Sequence, residues 1–215
     1  MTILHHPADE LLSGYAAGTL DQGMHVAVAT HLQLCIRCRD WVHGMEELGG
    51  AAIDALPPAE MAGDAFARLQ ARLDEAAPAV SAAPRKATVS DMPQLPPFVR
   101  ELPAGKWKWL APGLQLRRLA LSAPGDTRVF LLRAKAGLRL LPHDHTGIEM
   151  TCVLTGSFSH DGARYGPGDF DFGDREGSHE IVIGAESECI CLVAMQGELR
   201  LKGLLGRTLQ PFIAI

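Results

Sequence analysis

The 215-residue sequence has no apolar run approaching the roughly 20 residues that a membrane-crossing helix needs. Nor does it open like a secretory leader: Met-Thr-Ile-Leu-His-His-Pro has neither a basic start nor an apolar stretch behind it. Both absences set the expectation of a cytoplasmic protein with no membrane partner. A disulfide framework is missing too. The five cysteines, Cys35, Cys38, Cys152, Cys189 and Cys191, are an odd number, which fits reduced thiols and metal ligands better. Positive charge is scarce in the first part of the chain. Residues 1–80 carry four Arg against eleven Asp and Glu, a balance of −7, whereas residues 81–215 balance at +2. The first part is a poor candidate for touching nucleic acid and a good one for docking on a protein that does. What remains is an ordinary globular composition, 47% hydrophobic and 21% charged, in a length that holds one large domain or two small ones.

Chemistry-bearing residues concentrate in one short stretch, His31-Leu-Gln-Leu-Cys35-Ile-Arg-Cys38. Residues four apart on a helix share a face, one turn above each other, so a helix here aligns His31 with Cys35. Cys38, three residues on, can return its sulfur toward them from a helix end or turn. One imidazole and two thiols make most of a tetrahedral zinc site, and this spacing outweighs the plainer reading of buried cysteines beside a surface histidine. The fourth ligand must come from elsewhere, and the His5-His6 pair is the obvious supplier.

Around that stretch the spacing predicts four short helices. Leu11, Leu12, Tyr15 and Ala16 form an apolar stripe that Gly18 is placed to end. Asp21 can cap a second helix, on which Met24, Val28, His31 and Cys35 recur along one face, so zinc would pin it into a thin core. A third carries Trp41, Val42, Met45 and Leu48 and fades at Gly49-Gly50. Pro57-Pro58 precede a fourth, amphipathic helix with Met61, Phe66, Leu69 and Leu73. His25 and His43 fit no ligand spacing and read as surface or core filler. Residues 77–97, rich in Ala and Pro without periodicity, read as a mobile linker between independent units. After it, short apolar runs at 114–121, 129–134, 148–154, 169–172, 180–183 and 189–194 alternate with Gly, Pro and Asp turns. The expected fold is multidomain α + β: a small all-α four-helix zinc-binding domain over residues 1–76, then an antiparallel β jelly roll over 98–215.

A second donor set stands on the strands. His143 and His145, two apart, face the same way from one strand, and Glu149 can join them after the turn at Thr146-Gly147. Two imidazoles and a carboxylate suit zinc, iron, manganese or nickel. Cys189 and Cys191 share a strand face and read as small core residues rather than a redox pair. His160, in the hairpin turn Ser159-His-Asp-Gly162, reads as exposed.

The spacing Gly137-x5-His143-x-His145-x3-Glu149-x6-Gly156 resembles the first motif of the cupin superfamily and matches it at every defined position. The second motif is looser. Gly168-Asp169 and the spacing to His179 hold, but Asp174, Glu176 and Ile183 stand where the family has Pro, Gly and Asn. Together with His6…His31-x3-Cys35-x2-Cys38 and the closing Leu209-Gln-Pro-Phe-Ile-Ala-Ile215, the chain resembles the ChrR anti-sigma factors. That resemblance implies an N-terminal unit that inhibits an extracytoplasmic-function sigma factor, one to one, without touching nucleic acid itself. It further implies a cupin unit required for release under oxidative stress, by singlet oxygen or organic hydroperoxide. Its ligands carry over as His6, His31, Cys35 and Cys38 for zinc, and His143, His145, Glu149 and His179 for zinc or another divalent transition metal; no residue is assigned to catalysis. Two alternatives stand beside it: a metal-dependent cupin enzyme of dioxygenase or isomerase type with a helical accessory domain, and a thiol switch at Cys35–Cys38.

Overall fold

Local sequence sets the ends of the first helices. α1 (Asp9–Ala16) stops at Gly18, whose φ of +66° is the left-handed conformation that closes a helix, and the Gly18 N–H donates to the Tyr15 carbonyl. Asp21 caps α2 (Gln22–Leu34), its Oδ1 accepting the Met24 N–H at 2.8 Å. Cys35 breaks the run with extended backbone, φ −109° and ψ 105°, and α3 (Ile36–Asp54) begins directly after it. α3 does not fade at Gly49-Gly50 but runs through to Asp54. Two exposed glycines cost a helix about 1 kcal/mol each relative to Ala, too little to stop one already propagating into Ala51-Ala52. α4 (Ala65–Asp74) forms as an amphipathic helix, yet none of its residues is buried. A short α5 (Pro97–Glu101) follows. The computed structural model describes residues 2–75, 88–89, 91–93, 95–121, 125–173 and 180–202.

Eleven strands make up the rest of the described chain: β1 (Lys108–Ala111), β2 (Leu114–Leu119), β3 (Arg128–Ala134), β4 (His143–His145), β5 (Glu149–Thr155), β6 (Phe158–His160), β7 (Ala163–Tyr165), β8 (Phe170–Gly173), β9 (Val182–Ile183), β10 (Cys189–Met195) and β11 (Leu199–Leu201). All pairings between them are antiparallel. A six-stranded sheet runs β1-β2-β3-β10-β5-β8, with smaller β11-β4 and β7-β6-β9 sheets beside it.

Both faces of the large sheet are packed. Along β10, Cys189, Cys191, Val193 and Met195 belong to the core inside the barrel, with Phe130, Val153 and Phe158. The alternate residues Ile190, Leu192 and Ala194 belong to a second core with Val129, Leu131, Met150 and Cys152, and this one contains Leu12, Val26, Val28, Leu32 and Val42 of the helices. α2 is the element between the two layers, buried from Val26 through Leu32, and it packs against β10, β5 and β3. α1, α2 and the start of α3 thus share a core with the sheet, and α2 covers its outer face. Gly23 lets α2 approach: a Cβ there would sit 2.6 Å from the Thr127 side chain. The carboxylate that caps α2 ties down the same spot, because Asp21 Oδ2 accepts from Thr127 Oγ1 and from Gln196 Nε2.

Residues 77–87, 90 and 94 of the expected linker lie outside the described residues. Downstream of residue 87 the chain is held, not loose: Val89, Met92 and Leu95 are fully buried in the helix-facing core. Arg117 locks this strap with hydrogen bonds to Asp91 at 2.6 Å and to the Thr88 carbonyl at 3.1 Å. Apolar residues at three-residue steps inside an Ala/Pro-rich composition carry the packing.

Candidate metal centres

The break at Cys35 builds the first centre. His31 sits in the last turn of α2, Cys35 at the junction and Cys38 in the first turn of α3, so the three converge without any long-range contact. His6 arrives from the N-terminal segment, its Nδ1 lying 3.3 Å from Cys38 Sγ and 3.5 Å from Cys35 Sγ. All four donor atoms fall within 4.8 Å of one another. Zinc–sulfur bonds of about 2.3 Å and zinc–nitrogen bonds of about 2.0 Å put the edges of a tetrahedron near 3.5 Å, which matches the two nitrogen–sulfur separations. His5, the other member of the pair, points away: it stacks on Tyr165 at 4.2 Å and faces Asp169.

His31 is fully buried, and its Nδ1 donates to the Gly168 carbonyl at 2.8 Å. That bond fixes the tautomer and turns the Nε2 lone pair into the cluster, where Nε2 is a buried nitrogen with no hydrogen-bond partner among the described residues. Burial pulls the His31 pKa down to about 4, against the opposing effect of the Gly168 bond. Burial also pushes the Cys38 thiol up to about 12, and the hydrogen bond and charge of Cys35 add to the rise. Both groups therefore rest uncharged at neutral pH, and a metal entering this site must displace the Cys38 proton. The set fits zinc by donor type, number and spacing.

The second centre lies at the mouth of the barrel. His143 and His145 project from β4 with ring centroids 5.0 Å apart, and Glu149 at the start of β5 completes a triad whose donor atoms lie within 4.8 Å. His143 Nδ1 donates to the Leu141 carbonyl at 2.9 Å, leaving Nε2 turned to the triad. Thr151 Oγ1 donates to Glu149 Oε1 at 3.1 Å, and His145 Nε2 stands 2.7 Å from Glu149 Oε2. Burial lowers the His143 pKa. At His145 burial opposes the charged ring, but the Glu149 bond and the Glu149 and Asp144 charges outweigh it and raise the pKa. Glu149 is shifted down: burial works against its charge, and His145, His143 and Thr151 overcome it. Without metal, the charged forms of His145 and Glu149 thus favour each other. His179, expected as a fourth ligand, lies outside the described residues.

A cavity of about 140 Å³ adjoins His143 and Glu149, walled by apolar side chains including Leu110, Phe130, Leu138, Ile181 and Met195. Cys189 and Cys191 line a smaller one of about 40 Å³ against Glu149, their sulfurs 3.6 Å apart. His160 is not exposed as its turn position suggested. It is half-buried between Asp161 and Asp171, each 3.2 Å away, because left-handed Asp161 and Gly162 fold the turn tightly and point the ring back onto β8. His25 stacks on Tyr15 at 4.2 Å, and His43 lies on the surface beside Glu46 and Glu47.

Comparison with known proteins agrees with this architecture. Residues 97–198 match the ChrR cupin-like domain family. Over its whole length the chain is 35% identical to the anti-sigma-E factor ChrR of Cereibacter sphaeroides, which is likewise covered in full. The chain belongs to the ChrR family of anti-sigma factors. The crystal structure of Rhodobacter sphaeroides SigE in complex with the anti-sigma ChrR holds a chain that superposes at a TM-score of 0.75, with 32% identity, covering 91% of this chain and all of the other. No helix among the described residues is long and apolar enough to cross a membrane.

Two features of this ChrR-family chain escape a motif reading. Asp169, noted only as part of a cupin spacing, is 4% exposed and binds the N-terminal segment through backbone N–H groups. The apolar face of α4, read from the sequence only as amphipathic, lies open. A helix pattern shows that a face is apolar, not what covers it.

Proposed function

We propose that this protein is an anti-sigma factor that captures an extracytoplasmic-function sigma factor, one to one, through α4 and the C-terminal half of α3. The observation that carries this reading is a succession of uncovered apolar side chains. Leu48, Ile53, Leu56, Met61, Phe66, Leu69 and Leu73 are each between 52% and 75% exposed. Soluble chains rarely leave so much apolar surface free unless it is an interface. The reading is supported by the named relative and by the partner in its crystal structure, SigE. The excess of acidic residues before residue 80 suits the basic surfaces with which a sigma factor meets DNA.

In this reading His6, His31, Cys35 and Cys38 hold zinc and so tie the N-terminal segment to the α2–α3 junction. The docking helices are then presented preformed, which lowers the ordering cost of capture. Residues 1–76 form the docking domain and 98–215 the cupin, joined by residues 77–97, which Val89, Met92 and Leu95 anchor in the core, and the protein works in the cytoplasm. His143, His145 and Glu149, with His179, hold a second divalent metal, which supplies Lewis-acid or redox chemistry. The apolar cavity beside them admits a small molecule to that centre, and the cupin converts oxidative stress, as singlet oxygen or organic hydroperoxide, into release of the sigma factor.

The test is co-expression of the full chain with its sigma factor, with metal content measured on the complex. His143→Ala and His145→Ala should leave the complex intact and abolish its dissociation by oxidant. Survival of the oxidant response in both variants would sink the sensing role of the cupin. Steady turnover of a small molecule without stoichiometric capture would establish the enzyme alternative instead.

A further inference from the structure

The segment that enters β8 belongs to the cupin by sequence, yet it makes its closest polar contacts with the other metal centre. Gly168 offers its carbonyl to His31 Nδ1 at 2.8 Å. Asp169 Oδ1 accepts the backbone N–H groups of Leu4 at 2.7 Å and His5 at 2.9 Å, while its Oδ2 accepts from the Gly166 N–H at 2.8 Å. The Phe170 N–H donates to the His5 carbonyl at 3.1 Å. Three successive residues at the entry to β8 thus orient one ligand, His31, and grip the backbone that carries another, His6. The contacts span 137 to 165 positions of sequence. Gly168 has φ +91°, and a Cβ there would lie 2.5 Å from Ile3 Cδ1, so a side chain at this position strains the backbone and pushes the Ile3 side chain aside.

We propose that Asp169, with the Gly168 carbonyl, is a positioning element for the N-terminal metal site, so that the cupin sheet sets how tightly zinc is kept. The proposal rests on the reading of His6, His31, Cys35 and Cys38 as zinc ligands. Neither Asp169 nor Gly168 is a ligand. They act as the outer shell that turns imidazoles toward a metal, a role whose loss costs typically about 10–100-fold in metal affinity. The same segment leads straight into β8, whose Gly173 pairs with Glu149 and whose Asp171 pairs with Thr151. The outer shell of the first centre and the carboxylate of the second are therefore carried by one pair of hydrogen-bonded strands.

The test uses the full-length protein. Zinc content of the wild type comes first: a zinc-free chain refutes the ligand assignment and this proposal with it. With zinc present, its release to a chromogenic chelator is timed for wild type, Asp169→Asn, Gly168→Ala and, as a control, His43→Ala. Asp169→Asn and Gly168→Ala should release zinc about 10–100-fold faster. They should also shift the visible spectrum of the cobalt-substituted site, which a general loosening of the fold elsewhere would not do. His43→Ala should stay within threefold of wild type, because His43 lies on the surface beside Glu46 and Glu47, away from the clamp. Wild-type release rates and an unchanged cobalt spectrum in both variants refute the proposal alone. Hydrogen exchange on the unmodified protein gives an answer that needs no variant. The Leu4 and His5 amides should remain protected after zinc is stripped, since the carboxylate holds them; immediate exchange on stripping overturns the proposal.

Discussion

Replacing Phe66, Leu69 and Leu73 together by Ala should separate docking from folding. In the free chain these side chains are 68%, 52% and 75% exposed, so folding has left most of their surface in water. Truncating them opens no cavity, and Ala is a better helix former than Phe or Leu. Stability should therefore change by less than about 0.5 kcal/mol per site. Binding is a different matter. Full burial of a Leu or Phe is worth about 1.5–3 kcal/mol, and half to three quarters of that is still to be gained here, so each site contributes about 1–2 kcal/mol to capture. Three sites together give about 3–6 kcal/mol, or roughly 10²- to 10⁴-fold in Kd. The assay is titration of the zinc-loaded protein with a sigma factor, beside urea unfolding of the same samples. Leu12→Ala supplies the opposite signature: at 2% exposure it should cost about 2–5 kcal/mol of stability and leave the Kd nearly unchanged. A triple variant that binds within threefold of wild type would falsify the docking assignment. One that loses more than about 1.5 kcal/mol of stability would show that the face is already packed.

Two further outcomes are expected. Cys38→Ser replaces a thiolate donor by a poor one and should lower zinc affinity at least about tenfold, read by competition with a chelator. Retention of zinc at wild-type affinity would exclude Cys38 as a ligand. Asp21→Ala removes a helix cap and the acceptor shared by Thr127 and Gln196, and should cost about 1–3 kcal/mol in urea unfolding. Asp21→Asn keeps the cap and should cost less; equal losses would mean that the cap contributes little.

The parts of the molecule legible in the sequence are those fixed by short spacing. His31-x3-Cys35-x2-Cys38 converges because one residue of extended backbone joins two helices, and His143-x-His145 because a strand alternates. The helix cap at Asp21 and the stop at Gly18 follow from local hydrogen bonding in the same way. What stayed hidden depends on partners far along the chain. Asp169 meets Leu4 across 165 positions, and no pattern near either residue announces the other. The joining of helices and sheet in one core had a faint signal: Cys189-Ile-Cys-Leu-Val-Ala-Met195 is apolar at every position, whereas a strand with one wet face alternates. The burial of Val89, Met92 and Leu95 was masked by the Ala and Pro around them.

That uninterrupted strand has a mechanical consequence. β10 is a party wall between two rooms, with Cys191 and Val193 facing the barrel and Ile190 and Leu192 facing the helices. Close-packed interiors resist compression, so the helix side of this wall has little slack, while its barrel side lines the cavities of about 140 and 40 Å³. A guest that overfills those cavities must either be refused or push the wall toward α2. The helix that then gives way is the one that carries His31.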